Sequence, residues 1–360
     1  MWGKLRSLLI ISVALGVGVF SVSAATAGEK GKPTAGKSSS VRPANSGAAK
    51  KKASASKPLA AKVSSGAKTS GTKKKMSSGP VAAVDSHDRD EQSPSVKSGS
   101  ALVLEQGAGA PLFQKNAGIV VPIASITKLM TAMVVLDSTP DLQGPIVISD
   151  ADVDYLRGSR SRLNVGASMT RETALLLALM SSENRAAHAL GRHYPGGMPA
   201  FVVAMNEKAR SLGMRDTHFD DPTGLSSSNV STAYDLAKMV SAAYRYPLVR
   251  EFSTTPDAVV EVAGRQVAFN NTNPLVKSAS WEVGLSKTGY INEAGKCLVM
   301  QARVADRPVV IVLLDSVGKL TRVGDANRIK RWMEHAHASR PAPSPVAAVK
   351  TRASAGASPS

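Results

Sequence analysis

The stretch Pro122-Ile123-Ala124-Ser125-Ile126-Thr127-Lys128 leads directly into an apolar helical pattern that continues to Asp137. Residues three apart share one face of a helix, so the amine of Lys128 can reach the hydroxyl of Ser125. A serine at a helix N-terminus also lies at the positive end of the helix dipole, which favours negative charge on its oxygen. The spacing therefore predicts an activated serine, and the plain alternative is a capping serine beside a surface lysine.

Serine followed three residues later by lysine is weak evidence on its own, because the pattern recurs along the chain. The other copies are Ser54/Lys57, Ser65/Lys68, Ser70/Lys73 and Ser316/Lys319. Only the copy at Ser125 directly precedes an apolar helical run. Its position at the start of a helix, rather than the spacing itself, makes it a candidate.

Two further elements follow in chain order. Ser182-Glu183-Asn184 lies at the break between two helical patterns, where the plain alternative is a helix cap. Lys287-Thr288-Gly289 ends a strand-like run, where glycine allows close backbone approach and the plain alternative is an edge strand protected by lysine. The combination Ser-x-x-Lys, Ser-x-Asn and Lys-Thr-Gly, in this order, is typical of β-lactamases and penicillin-binding proteins.

Over about residues 100–320 the chain resembles the low-molecular-mass penicillin-binding proteins of the D-alanyl-D-alanine carboxypeptidase/endopeptidase family. The stretches that carry the resemblance are 122–128, 182–187, 221–225 and 287–290. Only about 70 residues follow Lys287, so the chain is most similar to the endopeptidase branch, which lacks the C-terminal β-domain and amphipathic anchor of typical carboxypeptidases. The resemblance implies an α/β (α+β) fold of the serine β-lactamase type, with an antiparallel five-stranded sheet flanked by helices and an α-helical subregion.

The resemblance also implies an activity and a set of site residues. Peptide cross-links of peptidoglycan would be opened at D-alanyl bonds through an acyl-enzyme on Ser125, with Lys128 as general base and Ser182 as proton relay. The other implied site residues are Asn184, Lys287, Thr288, Gly289 and Tyr290. Asn184 would hold a substrate amide or the Lys128 side chain, and no metal or cofactor is implied.

Substrate contacts are implied for the strand-like element. Thr288 would contact the substrate carboxyl or backbone. The backbone N–H groups of Ser125 and Tyr290 would form the oxyanion hole, in which each donor contributes about 3 kcal/mol to transition-state stabilisation.

The proposed base must be neutral to work, because a serine hydroxyl needs a proton acceptor at neutral pH. The pKa of a free lysine is about 10.4. Bringing the pKa of Lys128 into the useful range of about 7 to 8 requires burial and a second cation, which Lys287 could supply.

Two other features near the motifs are given ordinary roles. His188 and His193 lack the His-Glu-x-x-His pattern of zinc peptidases and are predicted to be surface or packing residues. Residues 220–224 have the chemistry of a turn, and the resemblance implies a loop that shapes the site rather than a catalytic carboxylate.

Around these motifs the periodicity predicts a mixed α/β domain over residues 100–336. The predicted strands are 101–106, 111–115, 258–262, 284–288, 297–304 and 309–314. The predicted helices are 126–137, 171–179, 183–193, 199–212, 232–244 and 321–336. Strands at both ends of the domain with helices between them predict an antiparallel sheet covered by helices.

The two ends of the chain differ from this domain in composition. Residues 1–27 combine basic residues, a short apolar run and a final Ala-Thr-Ala, which predicts a signal peptide cleaved after Ala27, with an uncleaved anchor as the alternative. Residues 28–99 form a basic Lys/Ser/Ala/Gly-rich tail and residues 337–360 an Ala/Pro/Ser-rich tail, both predicted to be disordered. The chain is therefore expected in the periplasm or cell envelope.

Export narrows the possible partners. The formal net charge of +18 comes mostly from the N-terminal tail, and outside the membrane nucleic acid is not an expected partner. Anionic envelope polymers could bind the tail, unless it is only a solvated tether. The expected partners of the domain are peptidoglycan stem peptides and, as covalent inhibitors, β-lactam antibiotics. The lone Cys297 excludes an internal disulfide, so packing must stabilise the domain.

Three alternative functions remain open at this point. The nearest is a D,D-carboxypeptidase that trims terminal D-alanine without cutting cross-links. A serine β-lactamase shares the three motifs, but the chain has no convincing Glu-x-x-Leu-Asn deacylation motif. A non-catalytic wall-binding protein would depend on the basic tail instead of on Ser125.

Overall fold

The computed structural model describes residues 93–107 and 109–339. The strands β1 to β11 span, in chain order, Ser100–Glu105, Pro111–Lys115, Val121–Pro122, Pro145–Val147, Ser168–Thr170, Val230–Ser231, Asp257–Val262, Arg265–Asn270, Glu282–Ile291, Gly295–Val304 and Arg307–Ser316. The helices α1 to α7 span Lys128–Asp137, Arg171–Met180, Asn184–Arg192, Gly197–Ser211, Ala233–Ala243, Pro247–Thr254 and Thr321–Ala338. The predicted signal peptide, most of the predicted basic tail and nearly all of the C-terminal tail lie outside the described residues.

The central sheet has five strands in the order β2-β1-β11-β10-β9. Each neighbouring pair is antiparallel, and the first strand of the domain pairs with the last long one, with Ser100 opposite Leu314. The predicted five-stranded antiparallel sheet is thus confirmed. The strand with the Lys-Thr-Gly element, β9, lies at one edge, so one side of its backbone is free of a neighbouring strand within the described part of the chain.

Both faces of the sheet are buried, which explains the uninterrupted apolar run of β11. Val310 and Val312 belong to the larger core beneath the helices from the middle of the chain. Ile311 and Leu313 point to the opposite face and pack in a second core with Ile329 of α7. A strand covered on both faces loses the alternation of apolar and polar residues that marks a half-exposed strand.

Helix α1 runs through the middle of the larger core. Its residues from Lys128 to Val135 are all buried, and it contacts α2, α3, α4 and α5. A helix that is apolar on all sides is stable only in such a setting. The first turn of α1 therefore brings Lys128 into the interior of the domain.

The structure differs from the predicted elements in several places. The predicted strand 258–262 forms a separate two-stranded hairpin with β8 and is not part of the central sheet. Helix α6 was not predicted, because its eight residues are too few for a clear periodicity. None of the helices within the described ranges is long and apolar enough to cross a membrane.

The folded domain begins slightly before the predicted boundary at residue 100. The backbone N–H groups of Lys97 and Ser98 donate hydrogen bonds to the Asp325 carboxylate over 2.9 Å and 2.7 Å, and Ser98 is buried. Their composition matches that of the tail, so the sequence alone predicts a boundary after them. Their contacts with α7 place them in the domain.

Candidate active site

Ser125 lies in a short 3-10 turn, Ala124–Thr127, that continues directly into α1. Its side chain is partly exposed, whereas Lys128 is completely buried. Lys128 Nζ lies 3.0 Å from Ser125 Oγ, which is a hydrogen-bonding distance. The predicted serine and lysine therefore meet, with the hydroxyl facing outward and the amine behind it.

Two more acceptors hold the buried amine in place. Lys128 Nζ lies 2.7 Å from Asn184 Oδ1 and 2.7 Å from the Thr223 carbonyl oxygen. Together with Ser125 Oγ, these atoms satisfy three hydrogen-bonding positions of the amine. The Lys128 side chain is thus held in one rotamer, with its Nζ atom beside the hydroxyl of Ser125.

A glycine loop shapes the turn that carries Ser125. Ala124 has a φ of 48°, a left-handed conformation that is costly for a residue with a side chain. Gly224 also has a positive φ, and a Cβ atom at this position would lie 2.0 Å from the Ala124 carbonyl oxygen. Only glycine therefore fits where this loop crosses the turn.

The Asp221 side chain stabilises the loop of residues 221–226 that contains Gly224. Its carboxylate accepts hydrogen bonds from the backbone N–H groups of Gly224 and Ser226, and the Thr131 hydroxyl of α1 donates to the Pro222 carbonyl oxygen over 2.6 Å. These contacts join the loop to α1 on the side of Lys128. The interpretation of residues 220–224 as a turn that shapes the site agrees with these contacts.

The second and third motifs meet through a lysine and a serine. Ser182 lies in the turn between α2 and α3 with a φ of 62°, and its Oγ accepts a hydrogen bond from Lys287 Nζ over 2.9 Å. Lys287 is buried on β9 and also donates to the Thr288 carbonyl oxygen. Asn184, the first residue of α3, accepts from Lys128, so the first motif meets the second as well.

The edge strand β9 passes directly over the Ser125 turn. A Cβ atom at Gly289 would lie 2.9 Å from the Ile123 carbonyl oxygen and 3.1 Å from the Ser125 nitrogen. Thr288 is mostly buried and donates from Oγ1 to Thr272 Oγ1 over 2.6 Å. Because Gly289 has no side chain, the backbone of the Lys-Thr-Gly element can lie directly against the backbone of residues 123–125.

Tyr290 follows the glycine and points away from this contact. Its side chain is 55% exposed, and its hydroxyl donates to Asn292. Lys296 Nζ lies 4.0 Å from the centre of the Tyr290 ring. The side chain is therefore engaged with Asn292 and Lys296, and the backbone N–H of Tyr290 is the group proposed for oxyanion binding.

Burial changes the proton affinity of both lysines. It lowers the pKa of Lys128 to about 7, although the nearby carboxylates of Asp221 and Glu183 act in the opposite direction. It also lowers the pKa of Lys287 well below its usual value, and repulsion from Lys128 and Arg322 adds to this effect.

Lys287 is the second cation that the sequence places near Lys128. Repulsion between the two amines lowers the pKa of Lys287, and because such repulsion is mutual it also disfavours a proton on Lys128. Burial is the largest cause of the lowered pKa of Lys128.

Sequence reasoning missed two residues that support the site. Ser159 Oγ accepts a hydrogen bond from Asn184 Nδ2 over 3.0 Å and so helps to orient this amide. Arg322, in the first turn of α7, donates to the carbonyl oxygens of Gly289 and Cys297 over 2.9 Å and 3.1 Å. Neither residue belongs to a local sequence pattern, so only the folded structure reveals its contact with the motifs.

The arrangement has the parts needed for nucleophilic catalysis. An amine with a pKa near 7 can accept the proton of an adjacent hydroxyl at neutral pH. A second amine and hydroxyl, Lys287 and Ser182, lie close enough for a hydrogen bond and could pass a proton onward. The geometry therefore suits acyl transfer to Ser125.

Curated proteins with similar sequences are named D-alanyl-D-alanine endopeptidase or carboxypeptidase. The chain is 51% identical over 239 residues to a D-alanyl-D-alanine endopeptidase of Pseudomonas aeruginosa, covering 66% of this chain and 77% of that protein. It is 44% identical over 243 residues to a D-alanyl-D-alanine endopeptidase of Escherichia coli, covering 67% of this chain and 78% of that protein.

Solved structures support the same relationship. The Streptomyces K15 DD-transpeptidase superposes with a TM-score of 0.62 at 30% identity, covering 67% of this chain and 98% of that chain. A D-alanyl-D-alanine carboxypeptidase of Mycobacterium tuberculosis superposes with a TM-score of 0.61 at 27% identity, covering 71% and 96% of the two chains. A family model described as D-alanyl-D-alanine carboxypeptidase, peptidase S11, matches residues 87–318. With the three motifs assembled as above, this chain belongs to the S11 family of serine D-alanyl-D-alanine peptidases.

Proposed function

We propose that this S11 peptidase is an endopeptidase that cleaves D-alanyl peptide cross-links of peptidoglycan through an acyl-enzyme on Ser125. The observation that supports this mechanism most directly is the completely buried Lys128, whose amine lies 3.0 Å from the Ser125 hydroxyl and has a pKa of about 7. Names of the relatives support specificity for cross-links. Two relatives named endopeptidase are 51% and 44% identical to this chain, whereas five named carboxypeptidase are 26% to 32% identical.

In the first step, Lys128 accepts the Ser125 proton while Oγ bonds to the carbonyl carbon of the D-alanyl residue. Backbone N–H groups of Ser125 and Tyr290 stabilise the oxyanion that forms. The C–N bond then breaks as a proton passes to the leaving amine through Ser182, which is hydrogen-bonded to Lys287. Water hydrolyses the resulting ester and regenerates Ser125.

The remaining site residues bind the substrate on the two sides of Ser125. Asn184 holds Lys128 and a substrate amide on one side of Ser125, while Thr288 and Gly289 on β9 bind the substrate backbone or carboxyl on the other. β-Lactam antibiotics acylate Ser125 covalently. The exported protein acts in the periplasm or cell envelope, where its basic N-terminal tail binds anionic polymers of the envelope.

Purified muropeptides test the endopeptidase assignment. Full-length protein should convert cross-linked muropeptide dimers to monomers, because the acyl-enzyme releases an amine from a second stem peptide. Uncross-linked pentapeptide muropeptides serve as the comparison, and chromatography with mass spectrometry measures both reactions. Removal of terminal D-alanine with intact dimers would make the protein a D,D-carboxypeptidase instead, and rapid turnover of penicillin would indicate a β-lactamase.

The rate of acylation should depend on pH with a step near 7. Below this pKa Lys128 is an ammonium group and cannot accept the Ser125 proton, so kcat/KM should fall about tenfold for each pH unit. Above it the amine is neutral and the rate should level off. Penicillin acylation measured from pH 5 to pH 9 checks this, with circular dichroism to confirm folding at each pH. A flat profile, or a rate that falls as pH rises through 7, would rule out Lys128 as the base.

A further inference from the structure

A cavity of about 630 Å³ is lined by α4 and by the loop of residues 213–218 that follows this helix. Its walls combine two arginines and a histidine with apolar side chains. None of the lining residues in the described part of the chain is acidic, and none belongs to the three motifs of the candidate active site. The lining residues that matter for this Arg215 cavity are Val202, Val203, Arg210, Met214, Arg215 and His218.

The polar side chains of the Arg215 cavity are available to a ligand. Arg215 and His218 are exposed, and within the described ranges their side chains have no hydrogen-bond or ion-pair partner. Arg210 lies 3.9 Å from Glu207, and because both side chains are mostly exposed this pair contributes little. A guanidinium group can only donate, and it binds a carboxylate through two parallel hydrogen bonds. The cavity therefore offers donors and positive charge to an anion.

A carboxylate that contacts the same loop is already neutralised. Asp235 is buried and accepts hydrogen bonds from the Asp216 backbone N–H over 2.8 Å and from the Thr217 hydroxyl over 3.0 Å. It also forms an ion pair with Lys238 at 2.7 Å. Asp216 itself is exposed and does not line the cavity. The positive charge of Arg215 is therefore not offset by the carboxylate behind the loop.

Apolar side chains lie beside these donors. Val203 is 56% exposed on α4, Val202 is half-buried, and Met214 is buried in the wall of the cavity. Cavities of this size hold ligands as large as a short peptide. The combination of donors with small apolar surfaces suits a peptide end in which a carboxylate lies next to a methyl group.

Hydrogen bonds connect the Arg215 cavity to the loop that holds Lys128. Asn206 lines the cavity, accepts from the Phe219 backbone N–H over 2.9 Å and donates to the Phe219 carbonyl oxygen over 2.7 Å. Four residues further along, the Thr223 carbonyl oxygen accepts from Lys128. The cavity and the Ser125 turn thus belong to one continuously hydrogen-bonded part of the domain.

We propose that the Arg215 cavity binds the carboxyl end of a peptidoglycan stem peptide that is not itself being cleaved. Arg210 and Arg215 bind the terminal carboxylate of a stem that ends in D-alanine, and Val203 and Met214 contact its methyl group. The assignment rests on the proposed function, because peptidoglycan presents many stem peptides to one enzyme molecule. A second, weak site for the same polymer raises the overall affinity without changing the chemistry at Ser125.

Binding to the cavity is measured with the active site blocked. Full-length protein is acylated with benzylpenicillin, and an uncross-linked tetrapeptide muropeptide is then titrated by calorimetry. Arg215→Gln should weaken binding about tenfold because a charge-assisted hydrogen bond is lost, and Val203→Glu should do so by placing negative charge beside the carboxylate. Conversion of the muropeptide carboxylates to methyl amides should weaken binding to the wild-type protein by at least as much.

Arg245→Gln is the matched control. Arg245 is also exposed and without a side-chain partner among the described residues, but it does not line this cavity, so its variant should bind as the wild-type protein does. Wild-type affinity in both Arg215→Gln and Val203→Glu, or equal binding of the carboxylate and amide forms, would overturn the proposal. Arg215-dependent binding of phosphatidylglycerol vesicles without binding of the muropeptide would also overturn it, in favour of a lipid surface.

Intact peptidoglycan separates this proposal from the proposed function. At low substrate concentration Arg215→Gln should cleave the intact polymer about tenfold more slowly than the wild-type protein, whereas its acylation by penicillin should be unchanged. Arg215-dependent binding of the muropeptide without cleavage of cross-linked dimers would reject the endopeptidase assignment alone. Dimer cleavage by a protein whose muropeptide binding is unaffected by Arg215→Gln would reject the cavity assignment alone.

Discussion

Ser125→Ala is expected to lower hydrolysis of D-alanyl peptides by at least about 10⁴-fold, because removal of the nucleophile in a serine peptidase leaves only binding and oxyanion stabilisation. The same variant should lose covalent labelling by fluorescent penicillin. The substitution removes one partly exposed hydroxyl and should leave the fold intact. Peptide hydrolysis, gel fluorescence and a thermal unfolding curve measure the three effects.

The chain contains a suitable control for this variant. Ser316 and Lys319 have the same spacing as Ser125 and Lys128, but Ser316 is buried at the end of β11, where its hydroxyl hydrogen-bonds Ser98 over 2.7 Å. Ser316→Ala should therefore retain both activity and labelling. Persistent activity in Ser125→Ala, with labelling unchanged, would place the nucleophile elsewhere.

Lys128→Met should lower the rate of penicillin acylation by about 10² to 10⁴-fold, the contribution of a positioned general base. Methionine has a similar volume and is apolar, so the buried position in α1 should still be filled. The substitution leaves Asn184 and the Thr223 carbonyl oxygen without their donor, and circular dichroism should confirm that the fold survives. Stopped-flow acylation measures the rate.

Lys319→Met is the matched control, because Lys319 is exposed and belongs to the second copy of the same spacing. Its rate should equal that of the wild-type protein. The remaining acylation of Lys128→Met should also lack the step near pH 7. Wild-type rates in Lys128→Met would show that another group removes the Ser125 proton.

The site could be predicted from sequence to the extent that its residues belong to motifs. Ser125 and Lys128 are three residues apart on one helical turn, so their contact follows from helix geometry. The meeting of Ser182 with Lys287 spans 105 residues and follows from no local rule. The combination of the three motifs predicts that these two residues lie in one site. The fold brings them together because the turn before α3 lies beside the edge strand β9.

Supporting residues without a motif could not be predicted. Ser159 and Arg322 contact the site only because a loop and a distant helix fold over it. His188 is predicted to be a surface or packing residue, but its hydrogen bond with Asp152, 36 residues away in the chain, does not follow from the sequence. Such pairs depend on tertiary packing, which the periodicity of one sequence does not reveal.

The outline of the fold could be predicted because the strands of the central sheet give clear patterns in the sequence. The two terminal groups of strands form the central sheet, and β1, β9, β10 and β11 are largely buried. Burial gives these four strands clear apolar runs, whereas the half-buried β2 is predicted from the Gly-rich turn that joins it to β1. The strands of the hairpin β7–β8 are as long as β1 but have many exposed residues, and the sequence predicts only the first of them.

The most direct test of the account is to locate the covalent bond. Full-length wild-type protein is acylated with benzylpenicillin at pH 7.5, digested, and analysed by tandem mass spectrometry. The acyl group should appear on the peptide that contains Ser125, with fragment ions that place it on this residue. An acyl group on Ser182, on Ser316 or on any other residue, with Ser125 unmodified, would contradict the mechanism.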